Sequence, residues 1–194
     1  MSHYFIADNS LKSEPQTFSY YYKSQEYSFT TDTGVFSVGK MDPNTHILLA
    51  NLPQLHGSLL DMGCGYGAIG IVLAKEYNLE LTQVDINPKA ITLTAENCEK
   101  NGVISNAVVS DCFAGVSGDF DTIIINPPIH AGKKVVFDMY EGSRFHLKPG
   151  GKLYIVILKK HGADSTIARL RELFGAVETL YKKQGCFVLC CVKI

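Results

Sequence analysis

Asp61-Met62-Gly63-Cys64-Gly65-Tyr66-Gly67-Ala68-Ile69-Gly70 is the stretch on which the reading of this chain turns. An apolar run, Ser58 to Met62, has the character of a buried strand, and the residues from Gly67 to Tyr77 have the apolar spacing of a helix. Between them the chain reverses through glycines. A glycine has no Cβ to keep a ligand off the backbone and tolerates positive φ, while the helix start offers unpaired N–H groups. A plain strand-to-helix turn does not need four glycines between Asp61 and Gly70, so a ligand-binding turn is expected.

Outward from that turn the pattern repeats. Leu79–Val84 reads as a strand and Pro88–Lys100 as a helix closed by Asn101-Gly102, which completes a βαβ unit. Strands follow at Ala107–Ser110, Asp121–Ile125 and Lys152–Leu158, with helices near Val135–Phe145 and Ser165–Phe174. Val177–Tyr181 and Cys186–Val192, joined through Lys183-Gln184-Gly185, read as a terminal hairpin. The expected fold is α/β and doubly wound, with a mostly parallel seven-stranded sheet and an antiparallel carboxyl-terminal hairpin. Ligands in such sheets sit beyond the carboxyl ends of the strands. Before the core, Phe18, Tyr20, Tyr22, Tyr27 and Phe29 alternate across Gln16–Thr31, broken by Lys23-Ser24-Gln25, as in a β-hairpin. Those rings either pack on the core or stack on bases. Asp42-Pro43 reads as the N-cap and first residue of a short helix through Asn51.

Residues 1–194 are read as one domain, with 1–56 the hairpin and helix extension and 57–194 the ligand-binding core. The start of the chain, Met1–Ile6, lacks a basic-then-apolar leader, and no apolar stretch approaches the ~20 residues that span a membrane, so a cytoplasmic protein is expected. Cysteines 64, 98, 112, 186, 190 and 191 form no CxxC pair and read as small apolar residues, with no metal expected. A net charge of -1 gives no global field for naked nucleic acid, leaving the local lysine groups Lys133-Lys134, Lys159-Lys160-His161 and Lys182-Lys183.

Two cofactors compete for the glycine turn. Gly65 to Gly70 matches GxGxxG, and Asp85 lies near the distance downstream at which a dinucleotide ribose is held. Asp61 opposes that reading, because a carboxylate before the turn repels a pyrophosphate but suits an ammonium and a nearby sulfonium. The preferred cofactor is therefore S-adenosylmethionine. Asp85, in Gln83-Val84-Asp85-Ile86-Asn87, is placed for the ribose hydroxyls, with Ile86 to cover adenine. Asn87 before Pro88 takes the helix cap instead. Asp111, in Ser110-Asp111-Cys112-Phe113, is either an adenine contact or a turn former.

The fourth strand ends in Asn126-Pro127-Pro128-Ile129. The Asn126 side-chain oxygen and the Pro127 carbonyl are placed to accept both hydrogens of an incoming amine and so point its lone pair at a methyl donor. A ring-conjugated amine is a weak nucleophile, and accepting its hydrogens stabilises the charge that grows on it without a strong base. His130 and Lys133, just beyond, are either rim contacts to base or phosphate or a solvated loop.

At this point the chain resembles the class I, Rossmann-like methyltransferases, and within them the small-domain family of bacterial ribosomal RNA guanine-N2 methyltransferases (the RsmC type). The residues that carry the resemblance are Gly34-Val35-Phe36-Ser37, Asp42–Thr45, Asp61–Gly67, Val84-Asp85-Ile86 and Asn126–Lys133. It implies that Asp61, Gly63, Gly65, Gly67, Asp85, Ile86, Asp111, Cys112 and Asn126 surround S-adenosylmethionine. Asn126 and Pro127 would act on the amine, with Pro128, Ile129, His130, Lys133 and Phe36 around the base. Asn44 stands where a glycine is common, and Ile129 where many amine methyltransferases carry an aromatic. The expected reaction is methyl transfer to N2 of a guanine in ribosomal RNA, free or in a subunit. A protein glutamine amide or another nucleobase amine remains open as acceptor. So do a nicotinamide oxidoreductase, which lacks a visible hydride-site acid or base, and a nonenzymatic RNA module, which leaves the glycine turn unexplained.

Overall fold

The computed structural model describes residues 12–194. Met1–Ile6, read above for its lack of a leader, lies outside the described residues. The chain begins with β1 (Gln16–Tyr22) and β2 (Gln25–Thr31), paired antiparallel, and α1 (Pro43–Ala50). Asp42 caps α1 through its Oδ2, which accepts the Thr45 N–H at 2.8 Å, and Pro43 begins the helix. The core then alternates β3 (Ser58–Met62), α2 (Ala68–Tyr77), β4 (Glu80–Asp85), α3 (Pro88–Asn101), β5 (Ser105–Val109), β6 (Phe120–Ile125), α4 (Lys133–His146), β7 (Leu147–Leu158), α5 (Ala163–Phe174), β8 (Glu178–Lys183) and β9 (Cys186–Val192).

The seven strands lie in the order β5-β4-β3-β6-β7-β9-β8. Only β9 runs against its neighbours β7 and β8. This is the doubly wound α/β sheet expected from the sequence. The chain winds outward from β3 through β4 to β5, then crosses back to β6, so the switch in direction falls between β3 and β6. Those two strands end in Met62 and Ile125, and the glycine turn and Asn126 follow directly.

Alternation along the strands sorts side chains to the two faces. Leu59, Ile124, Tyr154 and Val156 join a core with the hairpin, α1, α2 and α3. Leu60, Met62, Ile123, Ile125, Leu153 and Ile155 join another with α4 and α5. Burying a side chain such as Leu59 contributes ~1.5–3 kcal/mol.

The hairpin packs its rings inward. Tyr27 and Phe29 are wholly buried and stacked at 6.3 Å between centroids, and Tyr20 and Tyr22 are buried with hydroxyls on His46 Nδ1 and the Leu49 carbonyl. Tyr21, on the opposite face, is 66% exposed. The base-stacking reading of these rings is thereby displaced by core packing. The outer edge of β2 is completed by α3 rather than by another strand. Asn97 accepts the Thr30 N–H at 2.8 Å and donates to the Thr30 carbonyl at 2.9 Å, and Asn101 serves Ser28 the same way. Two asparagines one helical turn apart thus satisfy a strand edge.

Element ends depart from the sequence reading where backbone geometry decides. β7 starts at Leu147, opposite Phe120, and the register slips before Thr122 pairs with Lys152. α4 and α5 begin earlier than their apolar spacing indicates, because Gly132 and Gly162 at positive φ start them without a side-chain cap. β5 spans Ser105–Val109, leaving Ser110 in the following turn. Five of the six cysteines are buried, as their reading as core residues requires, and Cys112 is half-buried.

Asn97 is fully buried and also donates to the Tyr66 carbonyl at 2.9 Å in the glycine turn. Asn97→Ala leaves three backbone groups unpaired, and each such buried group costs ~1–3 kcal/mol. Urea denaturation is expected to show a loss of about 2–4 kcal/mol; a change below about 0.5 kcal/mol would show that the hairpin does not depend on this bridge.

Candidate active site

Beyond the carboxyl ends of β3, β4, β5 and β6 opens a cavity of about 810 Å³. That lies within the ~300–1,000 Å³ usual for small-molecule sites. Its floor is the glycine turn. Gly63 and Gly65 adopt φ of 74° and 59°, and a Cβ at Gly65 would meet no atom within 4 Å. Space is therefore open above the backbone where a ligand would approach. Gly67 and Gly70 serve a different end. A Cβ on Gly67 would sit 3.2 Å from Gln83 Nε2, and one on Gly70 would sit 2.7 Å from the same atom. These two glycines bring α2 close to the sheet, and Gly67 does not line the cavity.

The turn is held from beneath at nearly every residue. Gly63 and Cys64 donate to the Val84 carbonyl, both at 2.9 Å. The Gly65 N–H goes to Asp85 Oδ2 at 2.9 Å, and the Gly65 carbonyl accepts from Thr94 at 3.0 Å. Gln83 Nε2 donates to the Gly67 carbonyl at 3.2 Å. Cys64 sits in this packing, and burial pushes its thiol well above the usual range, which leaves it inert as a nucleophile.

Asp61 is placed differently from the expectation that it meets the cofactor directly. It is 1% exposed, does not line the cavity, and its Oδ2 accepts the Gly70 N–H at 2.9 Å and the Gln83 amide at 3.4 Å. Its Oδ1 is buried without a partner. Burial pushes its carboxyl up to about 6, against the two hydrogen bonds and with help from the charge of Asp85.

The cavity has two ends. At one, Asp85 closes β4 and Ile86 follows it, and Asp111 and Cys112 come after β5. Asp85 Oδ1 accepts the Asn87 N–H at 2.9 Å, and the carboxylate lies on the cavity wall. Burial raises its affinity for a proton, opposed by the N–H groups of Asn87, Gly65 and Ile86. Asn87 caps α3 by accepting the Lys89 N–H, as read from the sequence, and its Nδ2 holds the Gly34 carbonyl at 2.9 Å. That bond and the Lys89 contact to Thr33 at 2.7 Å fix the loop carrying Val35, Phe36 and Ser37 over the cavity. Phe36 is 48% exposed there.

At the other end Asn126, Pro127, Pro128, Ile129 and His130 follow β6. Asn126 Nδ2 donates to Asp42 Oδ2 at 3.3 Å and to Thr45 Oγ1 at 3.1 Å. A carboxylate only accepts, so the amide nitrogen must face Asp42, and the amide oxygen takes the opposite direction. The Pro127 carbonyl is not wholly free, because it accepts the Ile129 N–H at 2.9 Å across a tight turn at Pro128. Its second lone pair remains. His130 is exposed at the rim. Lys133 lies outside the cavity, with Nζ 5.0 Å from the Phe137 ring centre.

Sequence reasoning missed the roles of Asp42 and Thr45 as orienters of Asn126. The N-cap signal was legible, but nothing local ties position 42 to position 126. Sequence reasoning names His161 only within the Lys159-Lys160-His161 surface group, whereas His161 lines the cavity from the 3-10 turn after β7. Among the described residues there is no group of three or more His, Cys, Asp or Glu that could hold a metal, and no helix long and apolar enough to cross a membrane.

The methyltransferase small domain family matches residues 26–190 of the chain. The uncharacterized protein YbxB of Bacillus subtilis is 40% identical over 198 residues, which cover 99% of this chain and 98% of that protein. Ribosomal RNA small subunit methyltransferase C of Hahella chejuensis is 46% identical over 131 residues, 63% of this chain and 38% of its own length. A T. thermophilus 16S rRNA N2 methyltransferase (RsmC), solved with AdoMet and guanosine, superposes with a TM-score of 0.85 at 30% identity, covering 95% of this chain and 52% of that one. The chain thus spans about half the length of that solved enzyme and less of the H. chejuensis relative. Its glycine turn, its acid at the end of β4 and its Asn-Pro-Pro after β6, together with the family match over most of its length, establish that the chain belongs to the methyltransferase small domain family and is an RsmC-like class I S-adenosylmethionine-dependent methyltransferase.

Proposed function

We propose that this methyltransferase acts on the exocyclic N2 of a guanine in ribosomal RNA. The observation that carries the reading is the Asn126 amide, fixed by Asp42 and Thr45 at the end of β6 on the wall of the cavity. The solved T. thermophilus relative, with AdoMet and guanosine bound, supports the same acceptor class.

The residues present fit the cofactor. Gly65 leaves open space where a Cβ would otherwise stand, and Gly63 beside it, at positive φ, also lines the cavity. The Asp85 carboxylate suits two ribose hydroxyls, and Ile86, Asp111 and Cys112 suit an adenine, with Asn126 at the border between cofactor and acceptor. S-adenosylmethionine supplies a methyl group made electrophilic by the adjoining sulfonium. Asp61 acts on that group through the turn that it holds rather than by contact. Asn126 Oδ1 accepts one hydrogen of the acceptor amine and the Pro127 carbonyl, with its remaining lone pair, accepts the other. Holding both hydrogens directs the nitrogen lone pair inward and stabilises the positive charge it acquires. Pro128, Ile129 and Phe36 bound the base, and His130 and Lys133 stand at or beyond the rim. Ile129 replaces a stacking aromatic, so the base is held by its edge and by apolar contact. The hairpin and α1 belong to the same catalytic unit, because they deliver Phe36, Asp42 and Thr45 to the site.

Asn126→Ala is expected to reduce methyl transfer by about 10²-fold or more, the size of losing a preorganised electrostatic partner. Calorimetric affinity for S-adenosylmethionine is expected to stay within about threefold, since one tenfold step already equals ~1.4 kcal/mol. Full activity in this variant would refute the role given to Asn126. Asp61 yields a second expectation, on stability. A carboxyl whose value is raised to about 6 in the folded chain stabilises it below the usual carboxylate range, and that contribution disappears as pH rises through about 6. Asp61→Asn keeps an oxygen for Gly70 and removes the titration. The stability of the wild type relative to this variant should therefore fall between about pH 4 and pH 7. A difference that stays flat across that range contradicts the buried, proton-hungry carboxylate.

A further inference from the structure

Three lysine groups stand out in the sequence, and the structure disposes of them differently. Lys134 is paired with Asp138 at 2.7 Å one turn along α4, and Lys133 lies over Phe137. Lys159, in the 3-10 turn after β7, meets Lys182 and Lys183 at the end of β8 around a single surface depression, whose lining includes Lys159, Asp164, Lys182, Lys183, Gly185 and Phe187, and Lys160 is its neighbour in that turn. The Lys159 N–H donates to the Gly185 carbonyl at 2.7 Å, which fastens the two turns together. Gln184 and Gly185, at φ of 50° and 77°, form the tight two-residue reversal that fits the twist of a hairpin. The backbones under these lysines are therefore set in place.

None of Lys159, Lys160, Lys182 and Lys183 forms an ion pair with a carboxylate of the described residues, whereas Lys23, Lys89, Lys134 and Lys148 each do. The acid in the depression is Asp164. Lys182 rests over the Phe187 ring with its Nζ 5.3 Å from the centre, which orders the stem and leaves the ammonium at the surface. The same 3-10 turn ends in His161, a wall of the cavity. At ~2 Å of rise per residue, Lys159 and His161 stand only a few ångströms apart along the turn. The lysine cluster thus stands beside the cavity wall at His161, whose own proton affinity burial lowers, and continues onto the hairpin.

We infer that this surface takes the phosphate backbone of the RNA strand that carries the acceptor base, with the strand leaving the cavity past His130 and His161 and crossing Lys160 to Lys159, Lys182 and Lys183. The inference rests on the proposed RNA acceptor. A chain of net charge -1 does not draw nucleic acid by its global field, so a local cluster of unpaired lysines beside the site is where phosphates gain most. Lysines on the edge strand β8 also guard against edge pairing; that role alone predicts aggregation on their removal and no change in response to salt.

The test compares wild type with K182Q/K183Q and K182R/K183R, using the full chain and a single-stranded, guanine-containing RNA oligonucleotide. Fluorescence anisotropy over a salt series gives Kd and its salt slope, and calorimetry gives affinity for S-adenosylmethionine. K182Q/K183Q is expected to weaken RNA binding about tenfold or more at low salt and to reduce the slope by about 1.4, the release expected for two single-strand phosphate contacts. K182R/K183R is expected to restore both, and all three proteins should bind S-adenosylmethionine alike. Wild type that binds RNA while K182Q/K183Q matches it in Kd and slope overturns the surface and leaves the RNA acceptor standing. Wild type that binds no RNA and methylates protein instead overturns the acceptor reading, and this surface with it.

Discussion

The chain leaves β3 and doubles back into α2 through backbone that only glycines adopt easily, and a buried carboxylate holds that reversal closed from below. Asp61 takes the N–H of Gly70, Gln83 takes the carbonyl of Gly67, and Val84 receives the N–H groups of Gly63 and Cys64. Gly63 and Gly65 keep Cβ atoms off the cavity side of the turn, and its other face is bonded to the sheet. This division of one loop into a bound underside and an upper side opened by glycines gives the cavity its floor. It has a cost, because the Asp61 charge is taken out of water and its second oxygen finds no partner. A rigid, preorganised floor is what a reaction run by positioning needs.

The walls come from elsewhere in the chain, and they depend on the amino-terminal extension. Asp42 ends the loop after the hairpin, caps α1, and with the same oxygen receives the amide nitrogen of Asn126. One carboxylate oxygen therefore links helix formation to the orientation of the residue assigned to the acceptor amine. Asn97 performs a similar double duty, completing the edge of β2 and holding the carbonyl of Tyr66 inside the glycine turn. Hairpin and α1 are parts of the site's support, and loosening either would be felt at Asn126 or at the turn.

Much of this was legible in the sequence, for reasons that differ by element. The central strands were legible as apolar runs because both of their faces are buried, as Leu59 and Leu60 show by entering different cores. Asp85, Asp111 and Asn126 were legible as candidates because they stand at or just beyond strand ends on the carboxyl side of a parallel sheet, and all three line the cavity. Asp61 was read as facing the ligand, since a sequence shows that an acid precedes a turn and not which way its side chain leaves the strand. A glycine in such a turn can face a ligand or make room for packing, and at Gly67 the space is taken by Gln83 and Thr94, far along the chain. The Asp42–Asn126 bond and the meeting of Lys159 with Lys182 and Lys183 join residues that only the sheet order brings together.

The central claim is that a fixed amide at the end of β6 presents a nucleobase amine to a methyl donor held over the glycine turn. It is tested most directly by incubating the protein with radiolabelled S-adenosylmethionine and hypomethylated ribosomal RNA, ribosomal subunits or total protein, then resolving the labelled product to nucleosides or amino acids. The account predicts label recovered as N2-methylguanosine from the RNA or the subunits. Label found only in protein, as methylglutamine, would contradict it.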